Sequence, residues 1–197
     1  GSAIAKALLK SGQVVVTLAD NGIRGRERSD LLREEYSDDI LKIIDIDLTD
    51  ATQYSLLGRG YDFVYMMAAI LGVGQVNTAP HEVIRVNSLS LVNSLEWLKQ
   101  AGCGRAIFAS SSETYAGAVE AFDVTVPTPE DVPLAVQNVG HPRFSYAITK
   151  MLGESGFINY AAQGFFEAVV VRYHNVYGPM MGFRHVIPNL PERFFKG

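Results

Sequence analysis

The chain has 197 residues, enough for one α/β domain with a well-buried core and too few for two large domains. Its 17 basic and 21 acidic residues give a net charge of −4 with no basic stripe, so nucleic acid is not expected to be its main partner. The single cysteine, Cys103, cannot form an internal disulfide, and no apolar run approaches the ~18 residues that a membrane span needs. A cytoplasmic location without a membrane partner is the default expectation.

Apolar segments and turn signals predict an alternating order of helices and strands. The first ten residues predict a helix, because Ala3, Ile4, Ala7 and Leu8 recur on one helical face. Five apolar segments rich in β-forming residues predict strands at 13–19, 40–45, 62–67, 105–110 and 166–173. Polar loops are predicted at 22–28 and, with four prolines, between 124 and 142.

Helices are predicted between these strands. They are a short helix N-capped by Ser29, a short helix capped by Thr49 or Asp50, a long helix over 80–100 stopped by Gly102, and a helix from near Tyr146 to about residue 164. Strands that are continuously apolar and alternate with helices predict a doubly wound, Rossmann-like parallel sheet of the α/β class, covered on both faces.

Unusual polar or small residues stand at the predicted carboxyl ends of the strands. They are Asp20, Asp47, Ala68-Ala69, the segment 110–113 and the segment 173–175. Ligands of open parallel sheets bind at this edge, near the switch point in strand order. We therefore expect one site to be assembled from these segments.

Tyr146 and Lys150 lie four residues apart, so a helix places them on one face. A lysine ammonium beside the phenol favours the phenolate and makes tyrosine a usable base. Alone, such a pair often only decorates a helix, and the serine run at 110–112 often only forms a turn. Together, Ser111 after a strand and Tyr146 with Lys150 on a helix predict acid–base catalysis on a hydroxyl group.

Asp20 follows a strand at the place where a carboxylate accepts hydrogen bonds from the ribose of NAD. The alternative is an ordinary strand-end turn residue. Arg24, Arg26 and Arg28 follow closely and could receive a 2′-phosphate, so NADP stays open. Gly1 is interpreted as the last glycine of a phosphate-binding fingerprint, with the following helix facing a pyrophosphate.

The histidines and the cysteine indicate no metal site. His81, His141, His174 and His185 are scattered without the spacing of metal ligands. Cys103 has no base nearby in the sequence, so we interpret it as structural. No metal is predicted.

In these residues the chain resembles the extended short-chain dehydrogenase/reductase family, in particular its NAD-dependent nucleotide-sugar epimerases and dehydratases. The motifs that carry the resemblance are Asp20-Asn21, Asp47-Leu48, Ala68-Ala69, Asn87, Ser110 to Tyr115, Tyr146-x-x-x-Lys150 and Arg172 to Pro179. They cover nearly the whole chain in the family's order.

The resemblance implies a role for each matched residue. Ser111 would be the catalytic hydroxyl, Tyr146 the base, and Lys150 the group that lowers the pKa of Tyr146 and holds the nicotinamide ribose. The implied cofactor contacts for NAD are Gly1, Asp20, Asn21, Asp47, Leu48, Ala68, Ala69, Asn87, Tyr146, Lys150, Tyr173 and Val176. The implied substrate contacts are Ser111, Ser112, Asn175, His185 and Val186.

The implied chemistry oxidises a nucleotide-sugar to a transient keto-sugar, which is then reduced, dehydrated or decarboxylated. Glu113, two residues after Ser111, is also implied to be catalytic. It resembles the glutamate of dehydratases and UDP-glucuronate decarboxylases, although some epimerases also carry Ser-Ser-Ser-Glu and the typical dehydratase Thr-Asp-Glu is absent. Epimerisation is the preferred expectation. A silent scaffold and a non-sugar carbonyl oxidoreductase are the alternatives.

The resemblance also implies that the sequence is a fragment. The family's first strand would lie between the strands at 13–19 and 62–67, so the isolated chain is expected to be unstable or to bind NAD poorly. Residues 1–179 would form the NAD-binding domain, and 180–197 would begin a substrate domain. The complete protein is expected to be a homodimer that pairs the helix at 80–100 with the helix that carries Tyr146.

Overall fold

The computed structural model describes residues 1–23, 25–178 and 194, in which helices and strands alternate. In chain order the elements are α1 (Ser2–Lys10), β1 (Val16–Asp20), α2 (Glu27–Glu35), β2 (Leu41–Asp45), β3 (Phe63–Met66), α3 (Val73–Thr78), α4 (Pro80–Ala101), β4 (Arg105–Ser111), α5 (Ala116–Phe122), α6 (Arg143–Ala162) and β5 (Glu167–Tyr173). Short 3-10 helices, Ala51–Leu56 and Ser112–Tyr115, follow β2 and β4. All five predicted strands are confirmed.

The strands form two parallel sheets, β1-β2 and β3-β4-β5. Asp20 lies opposite Asp45 in the first sheet, and Ser111 lies opposite Tyr173 in the second. Every pairing is parallel, which confirms the predicted α/β, Rossmann-like class. Among the described residues, β1 and β3 are not hydrogen-bonded to each other, and each has one edge without a neighbouring strand.

A small core holds the first sheet against α1 and α2. Ala5 and Leu9 lie one turn apart on α1, and both are buried against Leu32 of α2 and Leu41 of β2. The predicted helix is present, but its buried face lies one residue further along than the sequence pattern indicated. Ala3 and Ala7, two of the predicted positions, are exposed. The burial of one helical face is therefore what attaches α1 to β1 and β2.

A larger core lies between the second sheet and the helices α4 and α6. Its buried members are Met66, Leu91, Leu95, Leu98, Cys103, Ala106, Phe108, Phe157 and Phe166. The rings of Phe108 and Phe157 stack with their centroids 4.9 Å apart. On the opposite face of this sheet, Phe63, Tyr65 and Val169 remain partly exposed. The core thus fixes α6, which carries Tyr146 and Lys150, against β4.

Several local predictions need correction. Helix α2 begins at Glu27, so Ser29 lies inside it and its hydroxyl donates to the Arg26 carbonyl oxygen. Acidic residues in the first turn favour this earlier start. Asp50, one of the two predicted caps, accepts from the Thr52 N–H, but the turn that follows is a 3-10 helix. The short helices α3 and α5 were not predicted, because fewer than eight residues give no clear period.

Strand β1 begins at Val16, three residues later than predicted, and Val15 before it is 63% exposed. In the described ranges, no helix is both long and apolar enough to cross a membrane.

Candidate active site

One face of α6 carries four ionisable side chains at intervals of three or four residues: Arg143, Tyr146, Lys150 and Glu154. Their burial increases along the helix. Arg143 is exposed and Tyr146 is partly buried, whereas Lys150 and Glu154 are each 4% exposed. The row of ionisable side chains therefore runs from the protein surface into the core.

Lys150 points at the last residues of β4. Its Nζ donates to the Ala109 carbonyl oxygen at 2.7 Å and lies 4.9 Å from the centre of the Phe108 ring. The same atom lies 5.6 Å from the centre of the Tyr146 ring. Burial lowers the pKa of Lys150 to about 8. At neutral pH this side chain is therefore a cation close to the Tyr146 ring.

Ser111 is the last residue of β4 and begins the 3-10 helix that follows. Its Oγ accepts a hydrogen bond from the Glu113 N–H, and its carbonyl oxygen accepts one from the Thr114 hydroxyl. Ser111 therefore makes the turn contacts that a serine run commonly supplies. Ser111 and Ser112 remain partly exposed, so their hydroxyls can also meet a ligand.

Glu113 belongs to the 3-10 helix that follows Ser111, and its side chain is paired with the start of α6. Its Oε2 accepts from Arg143 Nε at 3.0 Å, and the two side chains are 41% and 48% exposed. Arg143 begins α6, three residues before Tyr146. The ion pair therefore holds the Glu113 carboxylate beside the first turn of α6, which is the turn that carries Tyr146.

The carboxyl ends of β1 and β2 carry Asp20, Asn21 and Asp45. Asp20 is exposed, and its Oδ1 accepts from the Gly22 N–H at 2.7 Å; Asn21 Oδ1 accepts from the Ile23 N–H. Arg26 Nη2 pairs with Asp45. The first of these contacts is the ordinary turn role that was the alternative for Asp20.

Gly1 caps the N-terminus of α1 without a side chain. The charges of Arg28 and Asp20 both act on the start of α1, so both side chains lie close to this helix end.

The segment after β2 is fastened to α4. Asp47 Oδ1 accepts from the backbone N–H and the hydroxyl of Thr49. The Leu48 carbonyl oxygen accepts from the Tyr54 hydroxyl and from Asn93 Nδ2. Asp47 is exposed beyond these contacts, at the same sheet edge as Asp20.

Asn87 is buried in α4 and binds backbone groups. Its Oδ1 accepts from the Ile70 N–H at 2.7 Å, and its Nδ2 donates to the Ile70 carbonyl oxygen and to Thr149 Oγ1. Asn87 thus links Ile70, which follows Ala68 and Ala69, to Thr149, the residue before Lys150. It was predicted as a cofactor contact, and the structure shows it buried, with its amide bonded to Ile70 and Thr149.

The end of β5 supplies the remaining candidates. Tyr173 is partly buried beside Ser111, whereas Asn175 and Val176 are exposed. The predicted substrate residues His185 and Val186, the end of the last motif at Pro179, and Arg24 lie outside the described residues. In the part of the chain that is described, no cluster of three or more His, Cys, Asp or Glu side chains could hold a metal ion.

Two polar residues around the site, Arg143 and Glu154, were not singled out from the sequence, whereas Ser110 and Arg172 were named only as members of motifs. A signal existed for Glu154, which lies one further turn along the face that carries Tyr146 and Lys150. The partners of Arg143 and Arg172 are 30 and 18 residues away in the chain, and sequence spacing does not reveal such pairs.

The sequence profile described as "NAD dependent epimerase/dehydratase family" matches residues 1–197. The chain belongs to this family.

Two curated members of the family are similar to this chain. One is a UDP-N-acetyl-alpha-D-glucosaminuronate decarboxylase of Bacillus cytotoxicus, 35% identical over 179 residues that cover 91% of this chain and 52% of the relative. The other is a UDP-glucose 4-epimerase of Corynebacterium glutamicum, 30% identical over 178 residues that cover 90% of this chain and 48% of the relative. The chain thus spans about half the length of the curated relatives it matches.

A solved structure of a UDP-galactose 4-epimerase has the same fold. It is 30% identical to this chain, with a TM-score of 0.77, and the match covers 100% of this chain and 59% of that one. The family is NAD-dependent. The exposed carboxylates of Asp20 and Asp47 fit a dinucleotide at the ends of β1 and β2.

Proposed function

We propose that the protein uses NAD to modify a nucleotide-sugar through a transient keto-sugar, and that this chain carries its catalytic residues. The observation that carries the proposal is the position of Lys150: its buried Nζ lies beside the Tyr146 ring and against the end of β4 that leads into Ser111. A phenol, a cation and a hydroxyl within one small region are the groups needed to remove a proton from a sugar hydroxyl.

Tyr146 is the proposed base. Lys150, an ammonium below about pH 8, favours the Tyr146 phenolate by its charge. Ser111 would hydrogen-bond the hydroxyl of the sugar and orient it toward Tyr146. When bound, NAD would accept a hydride from the sugar carbon and later return it.

NAD is the proposed cofactor, with Asp20 as the residue that selects it. An exposed carboxylate can accept hydrogen bonds from ribose hydroxyls and would repel a 2′-phosphate. Arg26, which could otherwise attract that phosphate, is paired with Asp45. Gly1 would admit the pyrophosphate at the start of α1.

Epimerisation is the proposed outcome, in which the keto-sugar is reduced again on the opposite face. Similarity to the Corynebacterium epimerase and to the solved UDP-galactose 4-epimerase supports it. Decarboxylation of a sugar carboxylate is the second candidate. Similarity to the Bacillus decarboxylase and the partly exposed carboxylate of Glu113 beside Arg143 support that alternative.

We also propose that the complete protein is a homodimer formed through α4 and α6. These helices pack on each other and expose apolar side chains on their outer surface. The exposed residues are Ile84, Leu89 and Val92 on α4, and Ile148, Leu152 and Ile158 on α6. The free energy of the protein falls when a second copy covers an apolar helical surface of this kind.

A product assay tests the proposed function. Purified full-length protein is incubated with catalytic NAD and a panel of UDP-, dTDP-, GDP- and CDP-sugars, and the products are identified by mass spectrometry and NMR. An isomer of unchanged mass supports epimerisation, and loss of carbon dioxide supports decarboxylation. Loss of water would reassign the protein as a dehydratase. The proposal fails if NAD is bound and no sugar is converted.

A further inference from the structure

A buried polar network lies directly beneath the candidate site, and none of its members is a proposed catalytic residue. Glu154 is 4% exposed and accepts hydrogen bonds from the Ser110 hydroxyl at 2.5 Å and from Arg172 through both Nε and Nη2. A buried carboxylate is costly unless its oxygens are satisfied, and these contacts satisfy them. We call Ser110, Glu154 and Arg172 the Glu154 network.

The network links three secondary-structure elements at the level of the site. Ser110 belongs to β4, Arg172 lies opposite it on β5, and Glu154 belongs to α6. Arg172 binds the Glu154 carboxylate through two nitrogens, which fixes the orientation of the carboxylate as well as its distance from the guanidinium. The contact with Glu154 raises the pKa of Arg172, so the guanidinium stays charged.

The register of these contacts follows the chain. Ala109 accepts from Lys150, and the next residue, Ser110, donates to Glu154 one helical turn further along. Two consecutive residues of β4 are therefore attached to two consecutive turns of α6. The residue after Ser110 is Ser111, and the turn before Lys150 carries Tyr146. The two attachments together set where Ser111 stands relative to Tyr146.

Arg172 also connects the network to Tyr115 and to the loop that contains Glu130. Its Nη1 donates to the Tyr115 hydroxyl and to the Glu130 carbonyl oxygen, both at 2.8 Å. Tyr115 ends the 3-10 helix that Ser111 begins. The guanidinium thus holds the segment after Ser111 directly, and Ser110 before it through Glu154.

We infer that Glu154 is a positioning residue, which through Ser110 and Arg172 holds Ser111 at the distance from Tyr146 that proton transfer requires. This inference rests on the proposed function for its catalytic meaning. A misplacement of about 1 Å in reacting groups can cost about a hundredfold in rate. A loosened network therefore slows turnover without changing how tightly NAD or the sugar is bound.

Two variants test the inference in the NAD-loaded full-length protein. Ser110→Ala removes one contact and leaves the ion pair of Glu154 and Arg172 intact, so the variant is expected to fold. Glu154→Gln removes the charge. Glu96→Gln is the matched control, because Glu96 of α4 accepts a hydrogen bond from the Tyr160 hydroxyl of α6 away from the site.

We expect kcat for the UDP-sugar that the unmodified protein converts to fall about tenfold or more in Ser110→Ala and in Glu154→Gln. KM and bound NAD are expected to stay within about twofold, and Glu96→Gln to match the unmodified protein. Because both variants act on one contact, the double variant is expected to lose little more than Glu154→Gln alone. A Ser110→Ala protein with unchanged kcat overturns the inference, and so does an equal loss in Glu96→Gln.

Crystal structures of the same proteins separate this inference from the proposed function. We expect the distance between Ser111 Oγ and Tyr146 Oη to change in Ser110→Ala and to stay the same in Glu96→Gln. If the unmodified protein converts no sugar, the proposed function fails, while this distance still decides whether the network positions Ser111. An unchanged distance in Ser110→Ala overturns the inference.

Discussion

The ring of Phe108 occupies the space that a side chain at Gly153 would need. A β-carbon built on Gly153 would overlap the ring edge, and Phe108 itself is stacked on Phe157. Because Lys150 stands one turn before Gly153 and lies over the same ring, this close approach also sets the depth at which Lys150 is buried.

Gly153→Ala is therefore expected to destabilise the protein. Overpacking against a ring that cannot move should cost about 1–3 kcal/mol, more than the helix propensity of alanine returns. Gly156→Ala is the matched control, since its new methyl would meet the flexible end of Leu95. Urea unfolding should give a clearly lower midpoint for Gly153→Ala than for Gly156→Ala. Equal midpoints would contradict the rigid contact.

Lys150→Met is expected to raise stability at pH 7 while it abolishes most activity. The pKa of Lys150 is lowered from 10.5 to about 8 in the folded state, so burying the ammonium opposes folding at pH 7. That cost is full below about pH 8 and disappears as the pH rises towards 10.5. Thermal unfolding should show a stability gain at pH 7 that shrinks by pH 10. A gain independent of pH would argue against a buried ammonium.

Turnover gives a second measure of Lys150. We expect kcat to fall at least about a hundredfold in Lys150→Met, since general acid–base catalysis commonly contributes this much. In the unmodified protein the rate should fall above about pH 8, where Lys150 loses its charge. Lys150→Arg, if it retains activity, should keep that activity to higher pH. The same alkaline fall in Lys150→Arg would assign the fall to another group.

Glu113→Gln is expected to reduce kcat about tenfold or more without a change in stability. The pair of Glu113 with Arg143 is exposed, and exposed pairs contribute about 0–1 kcal/mol. An effect on rate would therefore come from the carboxylate itself. Glu167→Gln breaks a similarly exposed pair with Arg105 at the other end of β4 and should leave both quantities unchanged. Normal turnover in Glu113→Gln would remove Glu113 from the mechanism.

Asp20→Ala is expected to weaken NAD binding about tenfold, because a charged hydrogen-bond acceptor contributes about 1.4 kcal/mol or more. The preference for NAD over NADP should fall as well. Asp30→Ala on the exposed side of α2 is the control, since Asp30 pairs only loosely with Arg33 at 3.8 Å. Titration calorimetry measures both cofactors. Unaltered NAD affinity in Asp20→Ala would leave Asp20 with its turn contact alone.

Leu152→Glu is expected to convert a dimer of the full-length protein into monomers. Leu152 is 46% exposed on α6, and a charge there could not be buried against a second copy without cost. Leu31→Glu, at a residue 52% exposed on α2, should leave the dimer intact. Light scattering measures the mass of each. A monomeric unmodified protein would contradict the proposed interface.

The strands and the long helices were predictable because each has a strong local pattern. The apolar run at 105–110 predicted β4, and the helix predicted from near Tyr146 to about residue 164 corresponds to α6. The ends of both elements were predicted within about three residues. The location of the candidate site followed from a topological rule, because parallel strands place their carboxyl ends along one edge.

The contacts within the site were not predictable in the same way. Lys150 binds the Ala109 carbonyl oxygen across 41 residues, and Arg143 binds Glu113 across 30. Such partners depend on how α6 lies over β4, and that in turn depends on packing at Gly153. Ser29 was wrongly predicted as the N-cap of α2. Its hydroxyl can bond backbone groups either from the N-cap or from within the first turn, and the acidic residues beside it favoured the earlier helix start.

The division of the described strands into two sheets has a consequence for how a protein of these 197 residues should melt. Asp20 is joined to the core of Ala5, Leu9, Leu32 and Leu41, whereas Tyr146 and Lys150 belong to the core around Phe108. Units with separate cores can open independently, at different free energies. A dinucleotide in contact with both units would stabilise both of them and would make them unfold together. In calorimetry of these 197 residues alone, a broad or double endotherm should then sharpen into one peak once the cofactor is added at a concentration high enough to overcome weak binding.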